Sequence, residues 1–175
     1  MKRIFILLVM SLSAYITFAQ DIQHLEEAPS FKGITIGMTI SKISNKMTFE
    51  RVVNGYSIYK LTERSYYSVF NIPMNYVRII ELNGKVHAIE AMKIVKATKE
   101  HATVFDSKEL DIIQAGLTRQ YGKPKYALDE ENSKYVRVGV QWISNTKQAN
   151  CFIDFYGTYV GYKLQFSLSE YREDF

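Results

Sequence analysis

Asn83-Gly84 stands between two runs of β-forming residues, YVRIIEL and KVHAIEAMKIV. A two-residue hairpin turn needs positive φ at both central positions, and Asn followed by Gly tolerates that. Residues 76 to 95 are therefore expected to form one antiparallel hairpin. An isolated hairpin is marginal in water, so the remaining chain must extend it or cover it. In the register the turn sets, Val77, Ile79, Glu81, Val86, Ala88 and Glu90 share one face.

Other segments carry the same signal. FKGITIG is a brief extended piece closed by Gly37. GYSIYKLT and SYYSVFNI are dense in Tyr, Val, Ile and Phe, and Pro73 ends the second. In YVRVGVQWI, Val136, Val138, Val140 and Trp142 alternate with Tyr135, Arg137, Gly139 and Gln141, which predicts one buried face and one mostly polar face. NCFIDFY reads as a mixed strand. YKLQFSL sets Tyr162, Leu164, Phe166 and Leu168 on one side.

Two helices are expected. Thr39 can cap a short one with Ile40, Ile43 and Met47 on its apolar face, ending near Phe49. The second begins with the reciprocal capping spacing of Asp106 and Glu109. Leu110, Ile113, Leu117 and Tyr121 form its stripe, Gly122 suits its left-handed end, and Pro124 cannot continue it. LTRQYGKP is thus a helix exit, with Lys123 at the negative end of the dipole. A phosphate loop has the reverse order, glycines before a helix N-terminus, and is excluded. LDEENSK reads as a polar loop, and SEYREDF as a charged tail.

The chain reads helix then strands, twice, over 31–97 and 98–175. This predicts an α+β fold: two helix-then-antiparallel-strands units in one compact domain, with helices packed on one face of antiparallel sheet.

Residues 1–19 have the form of a secretory signal peptide: Lys2-Arg3, an apolar run from Ile4 to Met10, and small residues flanking a cut between Ala19 and Gln20. Residues 20–30 follow as a polar leader. The apolar run is too short for a stable membrane span. The protein is therefore expected to be periplasmic or secreted. Without Lys2 and Arg3, 20 basic residues face 18 acidic ones, so the net charge falls from +4 to +2. That leaves no basic surface for nucleic acid. Cys151 is the only cysteine, so no internal disulfide forms and the core must stabilise the fold alone. Its place in a strand predicts a buried, inert thiol.

Three of these segments resemble a family. FKGITIGMTISKI resembles the FKGIPI-x-GT opening of small exported Bacteroidota proteins. LTRQYGKP resembles their L-x-x-KYGKP helix end, and YGTYVGYKLQFSLSEY with Trp142 resembles their closing strands. Met38 departs from the Thr more usual after Gly37. A wider similarity is to β-lactamase-inhibitor-protein-like and SmpA/OmlA-like envelope domains. The resemblance implies a helix-plus-antiparallel-sheet fold and recognition of a partner, with no catalytic residue to carry over.

Chemistry is sparse. His24, His87 and His101 do not share metal-ligand spacing, and all three read as solvated surface residues. No G-x-S-x-G occurs. Asp129-Glu130-Glu131 lacks the Gly and spacing of a calcium loop. No cofactor is implied. Glu81 and Glu90, sharing an apolar face, are the one pair fit for a small glycoside hydrolase.

Tyrosine is abundant, thirteen in all, and seven of them fall in two clusters. Tyr56, Tyr59, Tyr66 and Tyr67 form one; Tyr156, Tyr159 and Tyr162, threaded with Gly157 and Gly161, form the other. Tyrosine offers large contact area at low entropy cost, though it also simply fills sheets. The expected function is a non-enzymatic recognition domain binding an envelope or secreted protein partner through Tyr66, Tyr67, Tyr156 and Tyr159. The alternative is a carbohydrate or small ligand stacked on the same rings. Tyr159, beside a glycine turn, is the leading contact.

Overall fold

The computed structural model describes residues 23–27, 29–96, 107–131, 135–156 and 159–168. The signal peptide, His101, the Asp106 cap and the charged tail lie outside the described residues.

The described elements run as follows. A helical turn at 23–27 (α1) leads into β1 (Ser30–Phe31) and β2 (Ile34–Thr35), then a 3-10 segment at Ile40–Lys46. β3 (Met47–Val53), β4 (Tyr56–Leu61), a second 3-10 turn at Arg64–Tyr66, β5 (Ser68–Val69) and β6 (Ile72–Pro73) come next. β7 (Tyr76–Leu82) and β8 (Lys85–Lys96) form the predicted hairpin. The helix Ser107–Tyr121 (α2) precedes β9 (Tyr126–Glu131), β10 (Val136–Ile143), β11 (Lys147–Tyr156) and β12 (Tyr159–Leu168).

Eight strands form one sheet in the order β3-β4-β7-β8-β12-β11-β10-β9, and every pairing in it is antiparallel. The mostly antiparallel mixed fold is as expected. The division into two helix-then-strands units is not. β8 pairs with β12 from Lys96↔Tyr159 to Ala88↔Ser167, so both halves feed one ladder. Both strands are long and β-forming, and an unpaired edge between them would expose a row of backbone donors and acceptors.

The first expected helix is instead a 3-10 segment. Thr39 makes no side-chain cap, no acid sits in the first turn, and Met47 already belongs to β3. Asn54-Gly55, with φ of 51° and 84°, turns β3 back onto β4, and that hairpin competes successfully for residues 47–53. The Ile40 N–H is satisfied by Gly84 O at 2.9 Å, at the tip of the neighbouring hairpin.

LDEENSK is expected as a loop, but its residues 128–131 belong to β9, an edge strand paired only to β10 among the described residues. Its Asp129, Glu130 and Glu131 keep an exposed edge from recruiting another strand. The polar leader also needs correction. Leu25 is buried in the core, and Glu26 accepts hydrogen bonds from Ser144 Oγ at 2.6 Å and Thr146 N at 3.0 Å.

α2 packs on the first face of the sheet. Ile113, Leu117 and Tyr121 meet Trp142, Ala149, Cys151, Leu164 and Phe166 in one core. Each fully buried Leu or Ile there contributes about 1.5–3 kcal/mol of transfer free energy. Trp142 Nε1 donates to Gly122 O at 2.8 Å, satisfying a carbonyl at the helix end. Lys93 Nζ pairs with Glu109 at 2.6 Å and fixes the helix start.

Candidate functional site

The second face of the sheet carries the unusual chemistry. A β-bulge places it there. Ile80 pairs with Ala88 and Glu81 with Val86, so His87 has no counterpart on β7. One extra residue inverts the side-chain alternation beyond it. Val86 therefore joins Val77 and Ile79 in the core, while Ala88, Glu90, Met92 and Ile94 take the opposite face. Glu81 and Glu90 end on opposite faces, so the expected carboxylate pair is not assembled. Glu81 accepts the Gly84 N–H at 2.5 Å as part of the turn.

Glu90 lies in a row that crosses five strands. The registers align Arg78, Glu90, Gln165, Asn150 and Gln141 side by side. Arg78 Nε donates to Glu90 Oε2. Gln165 Nε2 donates to Glu90 Oε1 at 2.7 Å, Asn150 Nδ2 to Gln165 Oε1 at 2.9 Å, and Gln141 Nε2 to Asn150 Oδ1 at 2.9 Å. Gln141 Nε2 also donates to Gln148 Oε1 at 2.9 Å. Every amide in the row directs its NH₂ toward Glu90, so the dipoles reinforce one another at the carboxylate. Lys163 Nζ adds a charge 3.9 Å away.

Glu90 is wholly inaccessible to solvent. Burial pushes its carboxyl up, but Lys163, Arg78 and the bonds from Arg78 and Gln165 outweigh that and hold it below the ordinary carboxylate range. A general acid needs the opposite shift.

Two rows further along, Ile94, Gly161, Asp154 and Arg137 are neighbours. Arg137 grips Asp154 through two bonds, Nε–Oδ1 at 2.7 Å and Nη2–Oδ2 at 3.0 Å. Its guanidinium also lies 4.0 Å from the Phe152 ring centroid, and Lys163 Nζ lies 5.5 Å from that ring. Gly161 carries no side chain, and a cleft of about 420 Å³ opens beside it. Met92, Ile94, Val160 and Tyr162 wall the cleft; Arg78, Lys163 and Asp154 supply its polar end. Arg51 and Tyr159, both exposed, complete the lining.

The tyrosines divide accordingly. Tyr159 is 48% exposed and lines the cleft. Tyr66 is 5% exposed and belongs to the core, and its hydroxyl accepts from Lys46 Nζ at 3.2 Å. Tyr67 packs against that core and donates its hydroxyl to Leu61 O at 2.6 Å. Tyr66 thus fills the interior, while Tyr67 is half-buried at its margin. The Tyr156 side chain lies outside the described residues.

His87 is buried beside Tyr56, with ring centroids 5.2 Å apart, so it is not the surface residue expected. Among the described residues, no three His, Cys, Asp or Glu side chains gather as metal ligands. Cys151 is buried, and desolvation pushes its thiol up to about 12. Among the described residues no helix is long and apolar enough to cross a membrane.

Arg78, Arg137, Asp154 and Lys163 escaped the sequence reading as members of a site. They alternate with apolar residues, which is also the pattern of a solvent-facing strand. The available signal was that such residues recur in five strands, but their alignment needs the strand order. Compared with protein-family models, with curated proteins and with solved structures, the chain matches none.

Proposed function

We propose that this protein is an exported, non-enzymatic recognition domain that takes a small ligand in the cleft on the second face of its sheet. The observation that carries this reading is the cleft itself, about 420 Å³, walled by apolar side chains and closed by Arg78, Lys163 and Asp154. Ligand pockets have that size and that make-up, mostly apolar with a few convergent polar groups. Tyr159 stands in the lining as an exposed ring available for contact. The carboxylates nearby are held by Arg78 and Arg137 in fixed ion pairs, which suits orientation and binding rather than proton transfer. Export rests on the signal-peptide pattern of residues 1–19, and an envelope role on the resemblance of FKGITIG and LTRQYGKP to exported Bacteroidota proteins.

A second reading, docking of an envelope protein, draws on the exposed apolar residues Ile94, Tyr159 and Phe155. A photo-crosslinker at position 159, exposed to the native envelope fraction, separates the two. Capture of low-mass material, competed by added extract of small molecules, supports the ligand reading. One dominant protein adduct moves the assignment to a protein partner. Labelling of neither overturns the cleft as the contact site.

A further inference from the structure

We propose that β3 is a dimerisation edge. Its partner is β3 of a second copy of this chain, paired antiparallel about a two-fold axis between Glu50 and Arg51. The pairing joins two eight-stranded sheets into one.

Among the described residues the sheet has two edges, β3 and β9, and they are built differently. β9 carries Asp129, Glu130 and Glu131, which discourage another strand. β3 carries Phe49 and Val52, 57% and 59% exposed, the two most exposed of the large apolar side chains described. An apolar edge recruits a strand unless something blunts it.

A bulge usually blunts an edge, but the bulge in β3 makes this one self-complementary. Phe49 pairs with Tyr59 and Arg51 with Ile58, so Glu50 is the inserted residue. Glu50 and Arg51 consequently share the second face of the sheet. Glu50 accepts the Tyr76 hydroxyl there, and Arg51 lines the cleft. Phe49 lies on the first face, edge-on to Tyr59 at a centroid distance of 5.6 Å. Val52 lies there too, opposite Ser57, which stands beside Glu81.

A two-fold axis normal to the sheet keeps every residue on its own face. In a regular strand, an axis between adjacent residues would set opposite faces against each other, so that register is forbidden. The bulge permits it. Glu50 then meets the partner's Arg51, Phe49 the partner's Val52, and Thr48 the partner's Val53, all face to matching face. An axis through Glu50 or through Arg51 would instead set like charges directly opposite. The backbone agrees with the proposed register. Val53 and Tyr56 close the two-residue turn as a hydrogen-bonded pair. Alternation along β3 then aims the backbone groups of Val52 outward and, across the bulge, those of Phe49. Phe49 and the partner's Val52 are thus placed to exchange both backbone bonds, with opposite charges matched beside them.

Sedimentation of the folded protein across about 1 μM to 1 mM tests this. A reversible dimer should appear with Kd on the order of 10 μM, as suits one short strand pair rather than a broad interface. Val52→Lys, at an exposed position, should weaken it at least about ten-fold with an unchanged melting temperature. Arg51→Glu alone sets acids opposite each other, and Glu50→Arg alone sets bases, so each should be monomeric. Mixed in equal amounts, these two variants regain both ion pairs and should form a heterodimer about as tight as the wild type. If Glu50→Arg, which also loses the Tyr76 bond, fails to fold, Val52→Lys carries the test alone. A monomer throughout the range would overturn the proposal. So would a dimer that survives Val52→Lys, since it would use another surface. A mixture no tighter than its folded parts would overturn the register about Glu50 and Arg51.

Discussion

Gln165 Nε2 donates to Glu90 Oε1 at 2.7 Å, joining two residues 75 positions apart on adjacent strands of one sheet. Gln165 is the first amide of the row that runs on to Gln141, and Glu90 is the carboxylate where that row meets Arg78 and Lys163. Removing the carboxylate takes away the buried charge that Arg78 and Lys163 share. Glu90→Ala should destabilise the fold by about 3–5 kcal/mol, seen as a drop in the urea midpoint. Glu81→Gln, confined to a turn, should change it by less than about 0.5 kcal/mol. Equal effects would remove the distinction drawn between these two acids.

The Glu26 carboxyl is lowered from 4.5 to about 2, chiefly by its bonds from Ser144 and Thr146. The folded state therefore binds the proton less readily than the unfolded chain. Its contribution is fully present above the unfolded value of 4.5 and fades as pH falls toward 2. Solvent reaches this group, so the effect at neutral pH is only about 1 kcal/mol. Thermal melts of wild type and Glu26→Ala should differ at neutral pH and converge in acid. A gap that stays constant would rule out the carboxylate as its source.

Gly116 is a helix-interior glycine with a packing reason. A Cβ at that position would lie 2.5 Å from the Phe70 ring. Phe70 itself sits at φ 47° in a tight turn with Asn71, so it has little freedom to retreat. Gly→Ala in an open helix gains about 1 kcal/mol, but overpacking here costs about 1–3 kcal/mol and wins. Gly116→Ala should lower the melting temperature. Adding Phe70→Leu should restore part of the loss, a non-additivity that identifies the contact.

Cys151 faces the core, with its thiol at about 12. A thiol reagent such as a maleimide should not label the native protein and should label it once urea unfolds the chain. Fast native labelling would mean that β11 opens far more readily than its central place in the sheet implies.

Tyr67 and Tyr159 should separate stability from recognition. Tyr67→Phe removes the 2.6 Å bond to Leu61 O and should cost about 0.5–1.5 kcal/mol with no change in ligand affinity. Tyr159→Ala should do the reverse, sparing the melting temperature and weakening the ligand. The opposite pattern would return Tyr67 to the contact surface.

The sequence by itself determined the local pieces. Asn83-Gly84 specified its turn, Leu110 to Gly122 specified a helix and its end, and Tyr162, Leu164 and Phe166 specified a core face. In each, the deciding interactions lie within a few residues. Asn54-Gly55 carries the same turn signal for β3 and β4, yet the spacing of Ile40, Ile43 and Met47 reads as a helix that runs into β3. Only the tertiary structure decided that β8 and β12 join, that β9 is a strand, and that a β-bulge at His87 turns Glu90 away from Val86. It alone aligned Arg78, Glu90, Gln165, Asn150 and Gln141 into a row and opened the cleft at Gly161. A strand's alternation says which residues share a face, but not which strand lies beside it. A buried charge is stabilised only by the neighbours that strand order brings.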